Sequence, residues 1–487
     1  MKGKNTMAEK KILFVGAEIM PFAATGGLGD VLGSLPAAIK AEMGDGGDVR
    51  AVMPLYSNVS PAWREKMTQV DVFEVKLSWR NQYCGVYSLV KDGVTFYFID
   101  NEYYFKRKAL YGEFDDGERY AFFCKAVLEM LTRMDWKPDV LHAHDWQAAL
   151  SLVYLCRKYR SVEGFADIKT VFTIHNIEYQ GKYDFSILGD VFDLMPSEHG
   201  LMDYSGCINL MKAAIVCADR VNTVSPRYAE ELLAGENAHG LSPILNMYSY
   251  KFTGILNGID YDYYNPETDP AIEKKFCSDC AIEGKTENKL ALQRATGLPE
   301  LRDTPMVALI TRLATHKGLD LVTDIAARLL EHDVQLVVLG KGESCYENFF
   351  IDLERRYPEK MRALIQYDRD LSKRIYAAAD VFMMPSKSEP CGLAQMIASH
   401  YGAFPVVRET GGLYDSIKGY WAHDGVIDGN GFTFANYISD ELLERTLAAV
   451  AVWNDPATRE VFTKKIMETD FSWNASAKRY IDLYASI

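Results

Sequence analysis

The sequence predicts an α/β protein built from two consecutive domains, each a mainly parallel sheet covered by helices on both faces. Three observations carry this. At 487 residues the chain is too long for one core of ordinary size. Short, continuously apolar, β-rich runs alternate with helical patterns, the mark of parallel strands buried on both sides. This alternation is interrupted once, over about residues 246 to 270, where Asn, Gly, Asp, Tyr and Pro concentrate as turns and a hinge. The expected division is 1–247, 248–464 and a terminal helical segment, 465–487.

In chain order, MKGKNTMAEKK is polar, lacks an apolar leader core and is expected to fray before Lys11. The strands of the first half are KILFVGAE (11–18), VRAVMPL (49–55), VTFYFID (94–100), DVLHAHD (139–145) and TVFTIHN (170–176), with DRVNTVS (219–225) as its last. Between Val72 and Val90 the pattern alternates, which predicts a hairpin near a sheet edge. The second half offers MVALITRL (306–313), VQLVVLG (334–340), ALIQYD (363–368), VFMMPS (381–386) and FPVVRE (404–409). In PSKSEPCGLAQ, Pro390 and Gly392 favour a tight turn, so a helix is expected to begin near Cys391, with Glu389 at its mouth. The closing SWNASAKRYIDLYASI puts Trp473, Ala477, Tyr480 and Leu483 on one helical face, with Ser472 placed to cap it. That face needs a surface to cover.

The net charge of -14, from 53 basic and 67 acidic residues, opposes general adsorption to nucleic acid or to anionic membrane. An anionic ligand must therefore meet a local basic cluster. No apolar run approaches the length that spans a bilayer. Nine cysteines, among them Cys84, Cys124, Cys156 and Cys217 in apolar contexts, fit a reducing cytoplasm better than a disulfide framework. Cys277 and Cys280 form one CxxC, without the second pair that would complete a zinc site.

TGGLGD at 25–30 recurs as TGGLYD at 410–415, each after a strand-like run and before a helix. Gly27, Gly29 and Gly33 are spaced one residue too far for the dinucleotide fingerprint, and Gly340 with Gly342 lacks the third glycine, so a nicotinamide enzyme is the weaker reading. What the two turns do offer is backbone N–H groups, at helix starts, that a phosphate or sugar can approach closely. Ligands of open α/β sheets gather at the carboxyl ends of strands. There the first half places Asp30, His142, His144, Asp145, His175 and Asn176, and the second Arg312, Lys317, Tyr367, Asp368, Glu389 and Thr410 to Leu413. His142 and His144 share one strand face, so HAHD suits a metal or a substrate contact, or a hydrogen bond in the core. Arg312 and Lys317, five apart across a strand-to-helix loop, suit a phosphate clamp or plain solvation.

These motifs together closely resemble the bacterial glycogen and plant starch synthases. The matching stretches are TGGLGDVLGSLP, HAHDWQAAL, VFTIHNIEYQGKY, ADRVNTVSPRYAEEL, LNGID, TRLATHKGLD, PSKSEPCGLAQM, RETGGLYDSI and FSW with its helix, in family order from Lys11 onward. Ile397, eight positions after Glu389, stands where many related transferases carry a second glutamate, which favours the glycogen synthase branch. The resemblance implies a GT-B fold: two Rossmann-like domains facing each other across a cleft, the first on the acceptor glucan side and the second holding the donor, with the C-terminal helix crossing back to the first. It implies retaining transfer of glucose from ADP-glucose, or UDP-glucose, to the non-reducing end of an α-1,4-glucan, without cofactor or metal. Residue by residue, it assigns Arg312 and Lys317 to the donor diphosphate, Glu389 to the essential carboxylate near the glucose, and His144 to the histidine near that sugar. Gly26, Gly27, Asp30, Asn257, Tyr367, Cys391, Gly392, Leu393, Thr410, Gly411 and Gly412 match donor-pocket positions. No nucleic acid or membrane partner is implied. The location implied is the cytoplasm, or a plastid-like stroma in a eukaryote, although no transit peptide is seen.

One position departs from the family: Ala24 stands where its first motif usually has a lysine, a donor-side cation. Lys182 and Lys212 are the candidates to compensate. The departure leaves open a synthase of altered nucleotide preference, or a catalytically weak or silent glucan-binding homologue. Tyr103, Tyr104 and Tyr111 are candidates for glucan contacts away from the cleft, or for burial.

Overall fold

The computed structural model describes residues 9–424 and 426–487. The opening segment expected to fray lies almost wholly outside them. The chain divides into two compact units, Met1–Gly258 with Trp473–Ile487, and Ile259–Ser472. It passes between them at Gly258–Ile259 and at Ser472–Trp473, against expected seams at 247/248 and 464/465. The first passage falls late because Phe252–Gly254 is still a strand of the first sheet and Ile255 belongs to the first core. The second falls late because helix Pro456–Met467 buries Phe462 and Ile466 in the second core, with Phe462 edge-on to Phe404.

The sheet of the first unit has nine strands, in spatial order Phe252–Gly254, Arg220–Thr223, Lys169–Ile174, Val140–His144, Lys11–Val15, Asp48–Pro54, Val94–Asp100, Arg80–Lys91 and Thr68–Leu77. Seven strands pair in parallel and the last two complete an antiparallel edge, so the alternating 72–90 segment is the expected hairpin. Phe73, Val75 and Leu77 turn inward there while Val70 and Val72 face water. Arg220–Thr223 is not the last strand of this half, as its sequence suggested. Phe252–Gly254 adds outside it, in a segment too short and too rich in turn residues to read as a strand. The central strand Lys11–Val15 is wholly apolar from Ile12 to Val15, each 0% exposed, as a strand covered on both faces requires. Sheet order reverses between it and Val140–His144; the loop leaving the first carries the first glycine turn, and the carboxyl end of the second, with the start of its helix, carries HAHD.

The closing helix, Trp473–Ala485, packs on helix Gly27–Met43 of the same unit. Trp473, Ala477, Tyr480, Leu483 and Tyr484 are buried. Each fully buried large apolar side chain of this kind contributes about 1.5–3 kcal/mol. The Arg220 guanidinium adds a tie, donating to the Ser486 carbonyl at 3.1 Å.

In the second unit six parallel strands lie in the order Met361–Leu364, Gln335–Leu339, Met306–Ile310, Val381–Met384, Phe404–Arg408 and Phe432–Phe434, one more than the sequence suggested. Here the order reverses between Met306–Ile310 and Val381–Met384. The loop after the first carries Arg312 and Lys317, and the loop after the second carries Glu389. Helix Ala281–Thr296 is fixed beneath by a buried ion pair, Lys289 to Asp380 at 2.8 Å. No helix among the described residues is long and apolar enough to cross a membrane.

Candidate active site

The candidate residues form two groups, one in each unit. In the second unit the chain leaves strand Met306–Ile310, makes a single 3₁₀ turn, Thr315–Lys317, and enters helix Leu319–Glu331. The neighbouring strand exits into 385–393. The two loops are zipped together: the Lys387 N–H donates to the His316 carbonyl at 2.9 Å, and Gly318 sits so close to Pro385 that an added Cβ would lie 2.0 Å from its carbonyl oxygen. Their side chains meet at Glu389. The Lys317 ammonium donates to Glu389 Oε2 at 2.7 Å and the Ser386 hydroxyl to the same oxygen at 3.0 Å. Glu389 is only 6% exposed, so its charge is sustained by these donors rather than by water. Arg312 is exposed beside them, with Nη2 3.4 Å from His316 Nε2.

The second glycine turn closes against this loop from the other side. The Gly412 N–H donates to the Glu389 carbonyl at 3.1 Å. Gly411 has φ +45° and an added Cβ would fall 2.0 Å from that same oxygen, while one on Gly412 would fall 2.1 Å from the Cys391 carbonyl. Thr410 and Cys391 are buried in the same contact. The helix expected near Cys391 begins instead at Ala394, because Gly392 takes the left-handed conformation, φ +71°, and holds the chain in the turn through Leu393. Ile397, on that helix, is 4% exposed, an apolar place where a carboxylate would be stranded. Tyr367 does not join the group. It leaves the edge strand Met361–Leu364, separated from Val381–Met384 by two strands, and is 76% exposed with its hydroxyl accepting from Arg369 Nε at 2.8 Å.

In the first unit the glycine turn is built on a residue that the sequence did not single out. Glu18, 3% exposed, accepts from the Thr25 N–H at 2.6 Å, the Thr25 hydroxyl at 2.8 Å and the Gly29 N–H at 3.3 Å. Burial pushes its carboxyl up, and these three donors offset only part of that rise. Helix Gly27–Met43 starts over this carboxylate with Asp30 in its first turn. Gly26 and Gly27 are exposed, and a Cβ on Gly27 would meet nothing within 4 Å, so the turn is open on its outer side.

HAHD brings His142 and His144 together, ring centroids 4.1 Å apart, but gives them different tasks. Thr173 Oγ1 donates to Asn222 Oδ1 at 2.7 Å, so at 2.6 Å it accepts from His142 Nε2–H, and Nδ1 then accepts from the Tyr484 hydroxyl at 2.8 Å. Both nitrogens of His142 are thus spent, one on the neighbouring strand and one on anchoring the closing helix. His144 shares Nδ1 with His175 Nε2 at 2.9 Å, and its buried Nε2 has no hydrogen-bond partner among the described residues. Burial holds all three imidazoles neutral, His175 down to about 3. Asp145, at φ +57°, turns its carboxylate to the His175 N–H at 2.7 Å and the Asn176 N–H at 3.5 Å, and burial lifts it to about 7. No cluster of three or more His, Cys, Asp or Glu among the described residues is arranged to hold a metal ion. Asn257 is 5% exposed, with Oδ1 buried and unpaired.

Lys212 does not stand in for the cation missing at Ala24. Its ammonium is committed to the Gly200 and Leu201 carbonyls at 2.9 and 2.8 Å, and burial lowers its basicity. Lys182 is exposed. Of the three tyrosines, Tyr104 is fully buried and Tyr111 partly so, while Tyr103 is 62% exposed.

The family model described as the starch synthase catalytic domain matches residues 11–247, and that of the glycosyl transferases group 1 matches 297–466. A glycogen synthase of Geobacillus thermodenitrificans is 43% identical over 98% of this chain and 98% of its own length, and one of Bacillus anthracis 44% identical over 98% and 99%. The chain belongs to the glycogen and starch synthase family. The catalytic domain of starch synthase IV from Arabidopsis thaliana, solved with ADP and acarbose, superposes with a TM-score of 0.89 at 35% identity, covering 98% of this chain and 99% of that one. The sucrose-phosphate synthase of Thermosynechococcus elongatus shares the fold alone, with a TM-score of 0.59 at 17% identity over 98% of each chain. Like the rest of the glycogen and starch synthase family, the protein is a glycosyltransferase with the two Rossmann-like domains of the GT-B fold. Glu18 and Ser386, which brace the two glycine-and-carboxylate loops of this family member, were missed because each sits one short step from a more conspicuous motif. A carboxylate ending the apolar strand KILFVGAE just before TGG was the available signal for Glu18.

Proposed function

We propose that the protein transfers glucose, with retention, from ADP-glucose to the non-reducing 4-hydroxyl of an α-1,4-glucan. The observation that carries this is the Lys317–Glu389 pair at the reversal point of the second sheet, walled by the backbone of Gly411 and Gly412. Cleaving the bond between glucose and diphosphate builds negative charge on the leaving group and positive charge on the sugar. Arg312 and Lys317 serve the first, with the glycine turns at Gly26 and Gly27 and at Thr410, Gly411 and Gly412 lining the donor pocket. Glu389 serves the second, electrostatically. The second unit is the donor domain and the first the acceptor side, with His144 at the sugar and Asp30 and Asn257 as donor contacts. Cys391, Gly392 and Leu393 complete the donor pocket, and Tyr367, exposed beyond the edge strand, is left outside it. Attack from the same face as the departing phosphate, assisted by it, accounts for retention. The ADP in the Arabidopsis relative supports an adenine nucleotide donor. Nine unbridged cysteines support a reducing, cytoplasmic setting.

The test is incorporation of label from radiolabelled ADP-glucose or UDP-glucose into precipitated glycogen. Incorporation that is faster from ADP-glucose is the expected result. Glycogen binding with no incorporation from either donor would overturn it and leave the silent glucan-binding reading that Ala24 raises.

A further inference from the structure

Cys277 and Cys280 take no part in the site described above. Cys277 precedes and Cys280 ends the single 3₁₀ turn, Ser278–Cys280, that feeds helix Ala281–Thr296 of the second unit. Their sulfurs are 3.2 Å apart, and the Cys277 N–H donates to Cys280 Sγ at 3.2 Å. Cys280 is exposed and Cys277 half-buried. The turn does not depend on the sulfur contact for its shape. Asp279 pairs with Lys464 at 2.5 Å and the Ser278 hydroxyl donates to Glu468 at 3.4 Å, both partners lying in or at the end of helix Pro456–Met467. A disulfide has its sulfurs about 2.05 Å apart, so closing the bridge asks for roughly 1 Å of movement in the two side chains.

We propose that Cys277 and Cys280 are a reversible dithiol–disulfide site, with Cys277 as the attacking thiol and a small-molecule or protein disulfide as the oxidant. The Cys277 thiolate attacks one sulfur of that disulfide, forming a mixed disulfide and expelling one thiolate, which takes up a proton. Cys280 then gives its proton to solvent and attacks Cys277 Sγ, expelling the second thiol. The two cysteines lose two electrons and two protons in total, and the oxidant becomes two thiols. The order follows from the turn: the Cys280 S–H and the Asp279 and Cys280 N–H groups converge on Cys277 and lower its thiol, while at Cys280 the pull of the Cys277 N–H is outweighed by the sulfur contact, burial and the neighbouring Cys277 charge, which together raise it. Lys464 adds positive charge nearby. Cys84, Cys124 and Cys391 are buried, and Cys345 is exposed with no second cysteine in its chain neighbourhood, which makes it an internal reference.

The test uses the whole protein, equilibrated in oxidised and reduced glutathione, quenched in acid, alkylated and digested with trypsin. Cleavage after Lys275 and Lys285 leaves both cysteines in one peptide, 276–285. The expected product is that peptide lighter by two hydrogens and unalkylated, at a glutathione ratio where Cys345 is at most a mixed disulfide. Replacing Cys280→Ser should convert it to a peptide carrying one glutathione on Cys277. Alkylation by iodoacetamide at pH 7 should be faster at Cys277 than at Cys345 and slow several-fold in Cys280→Ala, with circular dichroism confirming the fold of each variant. A 276–285 peptide that stays doubly alkylated while Cys345 is oxidised, or that carries two glutathiones, overturns the site. An unchanged Cys277 rate in Cys280→Ala overturns the assignment of the attacking thiol.

Discussion

Replacing Lys317→Met, Glu389→Gln and both together separates what the pair does for stability from what it does for catalysis. Removing one member of a buried ion pair costs about 3–5 kcal/mol, because the other is left charged without a partner. Here Glu389 retains Ser386, and 19% of the Lys317 side chain reaches water, so about 2 kcal/mol is expected for Lys317→Met. Glu389→Gln leaves an ammonium with partial access to solvent and should cost less, about 1 kcal/mol. The double variant carries no stranded charge, and its loss should fall short of the sum by about 1–2 kcal/mol. In a domain of this size, about 2–4 °C of melting temperature accompanies each kcal/mol. Activity should not follow the same cycle. A donor aimed at a leaving group is worth about 10²–10³ in kcat, so glucose incorporation should collapse in both single variants and stay collapsed in the double, whatever its melting temperature. Stability losses that simply add would refute the coupling, and near-normal incorporation by Lys317→Met would refute the catalytic role.

Gly411→Ala should lose at least about 2 kcal/mol in thermal or urea unfolding, since its Cβ meets the Glu389 carbonyl at 2.0 Å from a positive φ. Gly27→Ala, with open space around it, should be neutral or slightly stabilising, and equal losses for the two would contradict the backbone contact. His175→Asn should flatten the pH dependence of stability. The folded imidazole titrates near 3 and the unfolded one near 6.5, so between those values the unfolded chain binds the extra proton and wild-type stability falls as pH drops, by up to about 1.4 kcal/mol per unit. Asp145, raised to about 7, contributes with the opposite sign, and it is present in both proteins, so only the difference in slope is read; matching slopes at pH 7, 6 and 5 would count against a neutral buried His175. Ala24→Lys restores a donor-side cation at a partly exposed position without changing the Cβ that already packs over Gly29, so KM for ADP-glucose should fall with melting temperature unchanged, and an unaltered KM would show that the position is irrelevant here.

Strands covered on both faces announced themselves in the sequence because their apolar runs are continuous, which is why most strands of both sheets, and the residues at their carboxyl ends, could be placed. Phe252–Gly254 and Phe432–Phe434 were not legible: each is a three-residue edge strand whose existence depends on a neighbour far away in sequence. Arg312, Lys317 and Glu389 were legible as loop residues at strand ends, but that Lys317 rather than Arg312 engages the carboxylate depends on the 3₁₀ turn at 315–317. The two histidines of HAHD looked alike. Only Tyr484, 342 residues away from His142, distinguishes the one tied into the core from the one whose ring nitrogen stays unpaired. The helix start was misplaced by three residues because Gly392 was taken as a general turn former, whereas its left-handed conformation carries the turn on to Leu393.

The second unit fixes its carboxylate mainly through main-chain contact, and this bears on what the site can do. Three loops converge on 385–391: the turn before Gly318, the turn at Gly411 and Gly412, and the loop's own passage through Gly392. At Gly318, Gly411 and Gly412 the facing atom is a carbonyl oxygen near 2 Å from where a side chain would begin, so the loops stand closer than any residue but glycine permits. A main chain packed this way has few rotamers to reorganise. Donors and acceptors anchored to it hold their positions at little entropic cost when charge develops, and such preorganisation is where most electrostatic stabilisation of a transition state originates. Lys317, by contrast, is a long and partly exposed side chain resting on Glu389. In the transfer proposed above it is the group that would turn toward an incoming diphosphate, and doing so would leave the Glu389 charge unscreened as positive charge builds on the sugar. Glycine contacts that hold the carboxylate, and one long side chain able to turn away from it, are therefore complementary requirements of the proposed transfer.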